Sequence, residues 1–228
     1  KLTREQIGKG VDLVKVYGDY HWRTGDPETP TFSIEELKLV KDICASAGRP
    51  LVVHASTKEG MRRSILAGAE TIEHGDEIDE EIARLMQERG VVLVPTLAAT
   101  ESVSQYKGWK KGKSPEPENI LKRKAGFRKA LAAGVIIGMG GDVGVFPHGE
   151  NVLEMETMVE YGMKPLDVLK AATSINAKAF HLETVCGSIG PKLKADLIIV
   201  SGNPAEQISD CRKVKWVMKN GVVYKDLL

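Results

Sequence analysis

The sequence predicts an α/β fold in which helices cover both faces of a parallel sheet. Nearly continuous apolar runs alternate with segments of helical periodicity between residues 12 and 180. Runs without polar alternation are typical of parallel strands buried on both faces. Strands that alternate with helices indicate strand–helix–strand units. After Gly187 the pattern changes to short strands joined by turns, which predicts a separate small β module.

Apolar periodicity and end signals assign the elements of the α/β part. The predicted helices are residues 1–9, 33–48, a segment that ends at 68, and then 79–88, 118–133, 150–161 and 165–180. The predicted strands are residues 12–17, 51–54, a short run that ends at 74, and then 91–94 and 135–139. Ser33 and Glu36, for example, have the spacing of a capping box, which marks a helix start.

The remaining segments are loops and the small β module. Residues 18–30 predict a loop, and the polar stretch 96–117 predicts a lid or an entrance loop. The hairpin signal Asn220-Gly221 joins the last two strands of the module. The strands of the module are residues 195–200, 214–218 and 222–224. We therefore predict a main domain over residues 1–185 and a small β domain over residues 186–228.

Composition excludes several classes of protein. The chain has 228 residues, a net charge of +1 and 28% charged residues, so it offers no basic surface for nucleic acid or an anionic membrane. No apolar run approaches the roughly 20 residues of a membrane-spanning helix. The 3 cysteines are scattered, which favours free thiols in a reducing, cytoplasmic compartment over a disulfide framework or a zinc site.

Four polar side chains lie at or just beyond the ends of predicted strands: Lys15, His54, His74 and Asp142. In parallel α/β folds the functional groups gather at the carboxyl ends of the strands. Each residue alone also has a structural interpretation, as an ion-paired or solvent-reaching lysine, a hydrogen-bonded histidine or a capping aspartate. The four side chains converge on one edge of one sheet, which favours a metal site. A lysine buried in an apolar strand also needs a partner that pairs with or neutralises its charge.

Several segments carry a family resemblance. The segments HAST, AGAETIEHG, GMGGDVG, GSIGPKLKADLIIVSGNP and VKWVMKNGVVYK resemble the amidohydrolase superfamily, in its imidazolonepropionase-like and prolidase-like branch, which includes dipeptidases. The resemblance covers essentially the whole chain. It implies a (β/α)8 TIM-type barrel, of which this chain supplies strands four to eight, and part of a small β-sandwich. It also implies cleavage of a C–N amide bond in a dipeptide, an acylated amino acid or a cyclic amide, and we expect a homo-oligomer.

The resemblance also implies a role for each candidate residue. Lys15 would be carboxylated and bridge two divalent metal ions, with zinc as the expected metal. His54 and His74 would ligate the second ion. Asp142 would ligate the first and carry a proton from the attacking hydroxide to the leaving amine. Candidate substrate contacts are Tyr17, Tyr20, His21 and His148.

One motif of the family is absent from the sequence, namely the His-x-His pair that would hold the first metal. We therefore expect the chain to be the carboxy-terminal part of a longer enzyme that needs barrel strands one to three. Two alternatives stay open. One is a mononuclear imidazolonepropionase-like hydrolase, and the other is a catalytically incomplete fragment with a binding or structural role.

Overall fold

The computed structural model describes residues 1–227, which divide into two compact units. The first unit comprises residues 1–96 and 104–137, and the second comprises residues 97–103 and residue 138 onward. The predicted α/β fold, with a parallel sheet and a small β module, is confirmed. Over the described residues the parallel strands form an open sheet and not a closed barrel.

A parallel sheet organises the first unit. The strands of this unit are β1 (Val14–Tyr17), β2 (Asp19–Tyr20), β3 (Thr29–Pro30), β4 (Leu51–Ala55), β5 (Thr71–His74) and β6 (Val92–Val94). The parallel sheet has the order β1-β4-β5-β6, whereas β2 and β3 form a short antiparallel ribbon inside the predicted loop 18–30. Because β1, β4, β5 and β6 run in the same direction, their carboxyl ends lie along one edge.

Helices follow the strands, and their ends carry the expected signals. The helices of this unit are α1 (Leu2–Gly8), α2 (Ile34–Ser46), α3 (Lys58–Ala67), α4 (Glu80–Arg89) and α6 (Glu118–Ala132), while α5 (Leu97–Tyr106) belongs to the second unit over residues 97–103. Ser33 and Glu36 form both hydrogen bonds of the capping box at α2. Thr57 and Asp79 accept backbone hydrogen bonds at the starts of α3 and α4. The core of this unit includes Leu37, Leu51, Met61, Ile65, Ile72, Ile82, Met86 and Leu93.

The stretch predicted as a lid or an entrance loop is helical over its first half. Helix α5 covers Leu97–Tyr106, and only residues 107–117 are loop and turn. The prediction was wrong because three polar residues of α5, namely Glu101, Ser102 and Ser104, are buried and not solvated. Glu101 is buried and accepts a hydrogen bond of 2.9 Å from the Tyr161 hydroxyl.

The strand predicted at residues 135–139 is reduced to a single bridge. Ile137 pairs in parallel with Leu93, whose amide donates to the carbonyl oxygen of Ile136. Met139 does not continue the ladder because its backbone bonds to the side chain of Asn176. Val135 and Ile137 are buried, as expected for this run, whereas Ile136 is exposed, and the backbone partners of the run are not those of a regular strand.

The second unit contains helices α7 (Val152–Glu160), α8 (Pro165–Lys170) and α9 (Asn176–Ala179). A π-helical turn, Ala171–Ile175, joins α8 to α9, so the predicted helix 165–180 is continuous but locally widened. The β module is an antiparallel sheet with a neighbouring 3₁₀ turn at Ile208–Arg212. Its strands are β7 (Leu197–Val200), β8 (Val214–Lys219) and β9 (Val222–Asp226).

Three sequence expectations concern the chain as a whole. Within residues 1–227 no helix is long and apolar enough to cross a membrane. The thiols of Cys44, Cys186 and Cys211 are free in the structure. The boundaries of the two units are set by contacts within the chain. The boundary between the predicted domains was instead placed at the start of the β module. The assignment of residues 1–185 and 186–228 to separate domains stays a prediction.

Candidate functional site

Two of the predicted histidines meet at the carboxyl ends of β4 and β5. In the register of the parallel sheet Tyr17 lies opposite His54, and Ala55 lies opposite His74. The imidazole ring centroids are 4.5 Å apart, and the ring planes are inclined at 68°. The structure therefore brings these two side chains together at the edge where a parallel sheet keeps its functional groups.

His74 combines an unusual backbone conformation with a half-buried ring. Its φ of 75° lies in the left-handed region, which non-glycine residues rarely adopt and which often marks a functional position. Its Nδ1 is 2.7 Å from Thr96 Oγ1. Burial, together with smaller contributions from the charges of His54 and Arg123, lowers the pKa of His74 to about 3. The ring is therefore neutral at neutral pH, and its contact with Thr96 uses Nδ1 and not Nε2.

The side chain of Arg123, from α6, holds the two turns that follow β5 and β6. Its Nη1 donates to the carbonyl oxygen of His74 at 2.6 Å and pairs with the Asp76 carboxylate. Its Nη2 donates to the carbonyl oxygen of Pro95 and, at 3.2 Å, to Thr96 Oγ1. Arg123 is only 3% exposed, so these contacts replace water around a buried cation.

A buried carboxylate that the sequence reading missed lies beside His54. Asp19 is fully buried, and its Oδ1 is 3.7 Å from His54 Nε2. The same carboxylate accepts hydrogen bonds from the amides of Ser56 and Thr57 and from Thr57 Oγ1, just before α3. Gly60 allows this approach, because a Cβ there would lie 2.1 Å from Asp19 Oδ2. At 3.7 Å this carboxylate is a charged neighbour of the His54 ring, at a separation beyond hydrogen-bond distance.

Lys15 is exposed, which corrects the expectation that it is buried in an apolar strand. The physical reason is that β1 is an edge strand of the four-stranded sheet. Lys15 Nζ lies 5.6 Å from the centroid of the Tyr17 ring. Its positive charge makes a smaller contribution to the lowered pKa of His74, so the ammonium acts on the imidazole pair.

The aromatic substrate-contact candidates take different positions around His54. The Tyr17 ring centroid is 4.6 Å from that of His54, and the Tyr20 centroid is 6.3 Å from it. The two tyrosine rings also meet edge to face, at 5.5 Å. The Nε2 atom of His21 instead lies 3.5 Å from Glu28. Tyr17 and Tyr20 therefore line the imidazole pair, while His21 contacts the loop that precedes β3.

Asp142 and His148 belong to the second unit. The side-chain amide of Asn176 holds Met139, since its Nδ2 donates to the Met139 carbonyl at 2.7 Å and its Oδ1 accepts from the Met139 amide at 3.0 Å. Asp142 follows in an exposed turn with φ of 56°, again in the left-handed region. His148 is exposed in the turn before α7. The backbone before Asp142 is thus set by a side chain and not by a strand.

The residues present fit part of a metal site. Within residues 1–227 no group of three or more histidine, cysteine, aspartate or glutamate side chains is arranged to hold a metal ion. The donors that the structure does bring together, His54 and His74, are imidazoles, which suit zinc and other transition metals. A tetrahedral site needs four ligands, so this pair supplies half of one.

Four contributors to this geometry were not predicted: Asp19, Thr96, Arg123 and Asn176. Thr96 and Asp19 each stand two residues beyond a strand, and this strand-end position was a usable signal. Arg123 and Asn176 lie on helices and reach backbone groups 49 and 37 residues away in the sequence. No local pattern marks a helical residue for such a contact.

Comparisons with known proteins show what the chain as a whole is similar to. The family model described as "Amidohydrolase family" matches residues 1–224. Among curated relatives, the ochratoxinase of Aspergillus niger is 32% identical over an alignment of 239 positions, which covers 99% of this chain and 48% of that protein.

Solved structures show the same likeness in three dimensions. The crystal structure of a Xaa-Pro dipeptidase with bound methionine in the active site has a TM-score of 0.86 and 36% identity, over 97% of this chain and 56% of that one. The crystal structure of A. niger ochratoxinase has a TM-score of 0.86 and 30% identity, over 98% of this chain and 53% of that one. The chain therefore spans about half the length of these relatives.

Proposed function

The chain belongs to the amidohydrolase family, and on that basis we propose that it forms part of a metal-dependent hydrolase that cleaves a C–N amide bond. The observation that carries the proposal is the imidazole pair of His54 and His74, with ring centroids 4.5 Å apart at the ends of adjacent parallel strands. Histidine is the commonest metal ligand of proteins, and this edge of a parallel sheet is the usual place for catalytic groups.

The proposal divides the chain's own residues between holding metal and moving a proton. His54, His74 and a carboxylated Lys15 would hold two divalent ions, with zinc as the proposed metal. Bound divalent ions supply polarisation of the scissile carbonyl and a lower pKa for the attacking water. Asp142 takes a proton from that water and delivers it to the leaving amine. The support for Lys15 is its position on β1, where its Nζ lies 5.6 Å from the centroid of the Tyr17 ring, which in turn contacts the ring of His54.

The proposed substrate is a small amide, such as a dipeptide, an N-acyl amino acid or a cyclic amide. Tyr17 and Tyr20, which line the imidazole pair, are the best supported substrate contacts. His21 and His148 are proposed as further contacts. The names of two similar proteins, a Xaa-Pro dipeptidase and an ochratoxinase, support this class of substrate.

A second candidate is favoured by the small number of converging donors. Since His54 and His74 form no larger ligand group within residues 1–227, the chain is also compatible with a mononuclear imidazolonepropionase-like hydrolase or with a catalytically incomplete binding or structural fragment. These candidates differ in metal stoichiometry, so one measurement separates them.

Metal analysis and intact mass of the protein, purified at its natural length, test the proposal first. We expect about two metal ions per chain, hydrolysis of Xaa-Pro dipeptides or N-acyl amino acids, and loss of both after chelation. One ion per chain with activity would support the mononuclear enzyme. Absence of both metal and hydrolysis would overturn the proposal. Light scattering on the same sample measures the expected homo-oligomer.

The variant Lys15→Ala tests the bridging role directly. We expect it to lower the metal content and abolish turnover, because the carbamate oxygens are lost. The matched control is Lys58→Ala, which removes an exposed lysine that pairs with Asp79 and Glu81. Wild-type metal content in Lys15→Ala would exclude the carboxylated lysine.

A further inference from the structure

The two Nη atoms of Arg123 make hydrogen bonds to the turns that follow β5 and β6. Its two Nη atoms contact the carbonyl oxygens of His74 and Pro95, the Thr96 hydroxyl and the Asp76 carboxylate. Its Nε, in contrast, is buried and has no hydrogen-bond partner in the part of the chain that the structure describes. A guanidinium placed for its own stability would satisfy all five N–H groups. The two Nη groups of Arg123 instead bind the backbone carbonyl oxygens of His74 and Pro95.

The backbone that Arg123 contacts is strained at two positions. His74 has φ of 75° and Thr96 has φ of 48°, and neither residue is glycine. Left-handed backbone is especially unfavourable for a β-branched residue such as threonine. Conformations of this kind persist only where the surrounding structure over-determines them. Arg123 contacts both strained residues, and one planar group therefore holds the two turns in a fixed relation.

The Thr96 hydroxyl joins this contact to the imidazole. Its Oγ1 is 3.2 Å from Arg123 Nη2 and 2.7 Å from His74 Nδ1. The ring of His74 is thus held through its own carbonyl and through Nδ1, and both contacts lead to the same guanidinium. A shift of Arg123 would move both of these supports together.

We propose that Arg123 is a positioning residue, whose planar fork holds the turns at His74 and Thr96 and so sets the direction in which His74 presents Nε2. Lysine cannot replace it, because a single ammonium does not reproduce two forked Nη groups. Its importance for turnover rests on the proposed function, but the positioning of the ring is a property of the fold and is measured without turnover.

The variant Arg123→Lys tests the proposal in the protein at its natural length. The measurements are the ¹⁵N resonances of the His74 ring, the affinity for Zn²⁺ alone, and the melting temperature. We expect one ring tautomer in the wild type, a mixture in Arg123→Lys, and an affinity for zinc that is about 10–100-fold lower. The control is Ile120→Val, on the buried face of α6, which should lower the melting temperature and leave the resonances and zinc affinity unchanged.

Wild-type resonances and zinc affinity in Arg123→Lys would overturn the proposal, whatever the melting temperature. If that variant does not fold, Thr96→Val and Thr96→Ser decide the question. Valine removes the shared hydroxyl and should reproduce the mixture of tautomers, whereas serine keeps it and should behave as the wild type. Equal resonances in these two variants would also overturn the proposal. If the wild type itself binds no zinc, the proposed function fails, while the ring resonances still report on positioning.

Discussion

His74 and Asp142 are both non-glycine residues with left-handed backbone, yet the two units hold them by different means. In the first unit a charged side chain, Arg123, donates to the His74 carbonyl. In the second unit a neutral amide, that of Asn176, bonds to both backbone groups of Met139, which precedes the Asp142 turn. Both supporting side chains come from helices far along the chain.

The difference between the two supports is electrostatic. The positive charge of Arg123 disfavours protonation of the neighbouring imidazole, so the residue that holds His74 also helps to lower its pKa. Neutral imidazole is the form that binds a metal ion. An amide has no net charge, so Asn176 shapes the turn before Asp142 without placing a cation beside a carboxylate. Each support therefore suits the chemistry of the residue that it holds.

The largest expected effect is the dependence of stability on pH. Because the pKa of His74 falls from 6.5 to about 3 on folding, the unfolded chain binds more protons between these values. The contribution of His74 to stability is complete above about pH 6.5 and is lost as the pH falls towards 3, with a slope of up to about 1.4 kcal/mol per pH unit. Denaturant titrations of the metal-free protein should show a shallower slope in His74→Asn. Equal slopes would contradict the burial of a neutral ring.

The charged support should contribute more to stability than the neutral one. Arg123→Met leaves the carbonyl oxygens of His74 and Pro95 without their charged donor, and we expect a loss of about 3 kcal/mol in the free energy of unfolding. The control Arg62→Met removes an exposed arginine that pairs with Glu59 and should cost less than about 1 kcal/mol. Urea unfolding measures both variants. A loss in Arg123→Met no greater than in the control would show that the buried contacts add nothing.

The neutral support should have a smaller and more local effect. Asn176→Leu removes the donor and the acceptor that satisfy Met139, with an expected loss of about 2 kcal/mol. Hydrogen exchange at the Met139 amide should become faster, because that amide then lacks its partner. Unchanged exchange at this amide would mean that the Asn176 side chain does not hold the turn in solution.

The smallest effect is expected at Asp142 itself. Glycine adopts left-handed backbone without strain, so Asp142→Gly should change stability by less than about 1 kcal/mol, and Asp142→Ala should be less stable than Asp142→Gly. Under the proposed function both variants lose hydrolytic activity. Thermal unfolding and activity assays on the same samples give the two readouts. A large loss of stability in Asp142→Gly would identify the aspartate as a structural residue.

Local signals in the sequence were sufficient for most elements of the fold. The caps at Ser33 and Asp79, where the sequence placed helix starts, form side-chain hydrogen bonds, and Gly68 ends α3 in the left-handed conformation. Such features depend on residues close in sequence, so they can be read from a single chain. The pair of histidines was also found in this way, because each ends an apolar run.

The errors have a common physical origin in contacts between distant residues. Helix α5 was missed because its polar side chain Glu101 is buried against Tyr161, which no local pattern announces. Lys15 was expected to be buried because an apolar run does not reveal that β1 lies at a sheet edge. Arg123 resembles any surface arginine in sequence, and only the fold brings it under the imidazole.

The π-helical turn at Ala171–Ile175 determines where along this helix the number of residues matters. A π turn takes up one more residue than an α turn for nearly the same rotation, so deleting one residue inside it would leave Asn176 facing Met139. Deleting one residue from α8 would instead rotate Asn176 by about 100° relative to the start of α8 and turn its amide away from Met139. The length of α8 therefore matters to the Asp142 turn as much as the identity of Asn176.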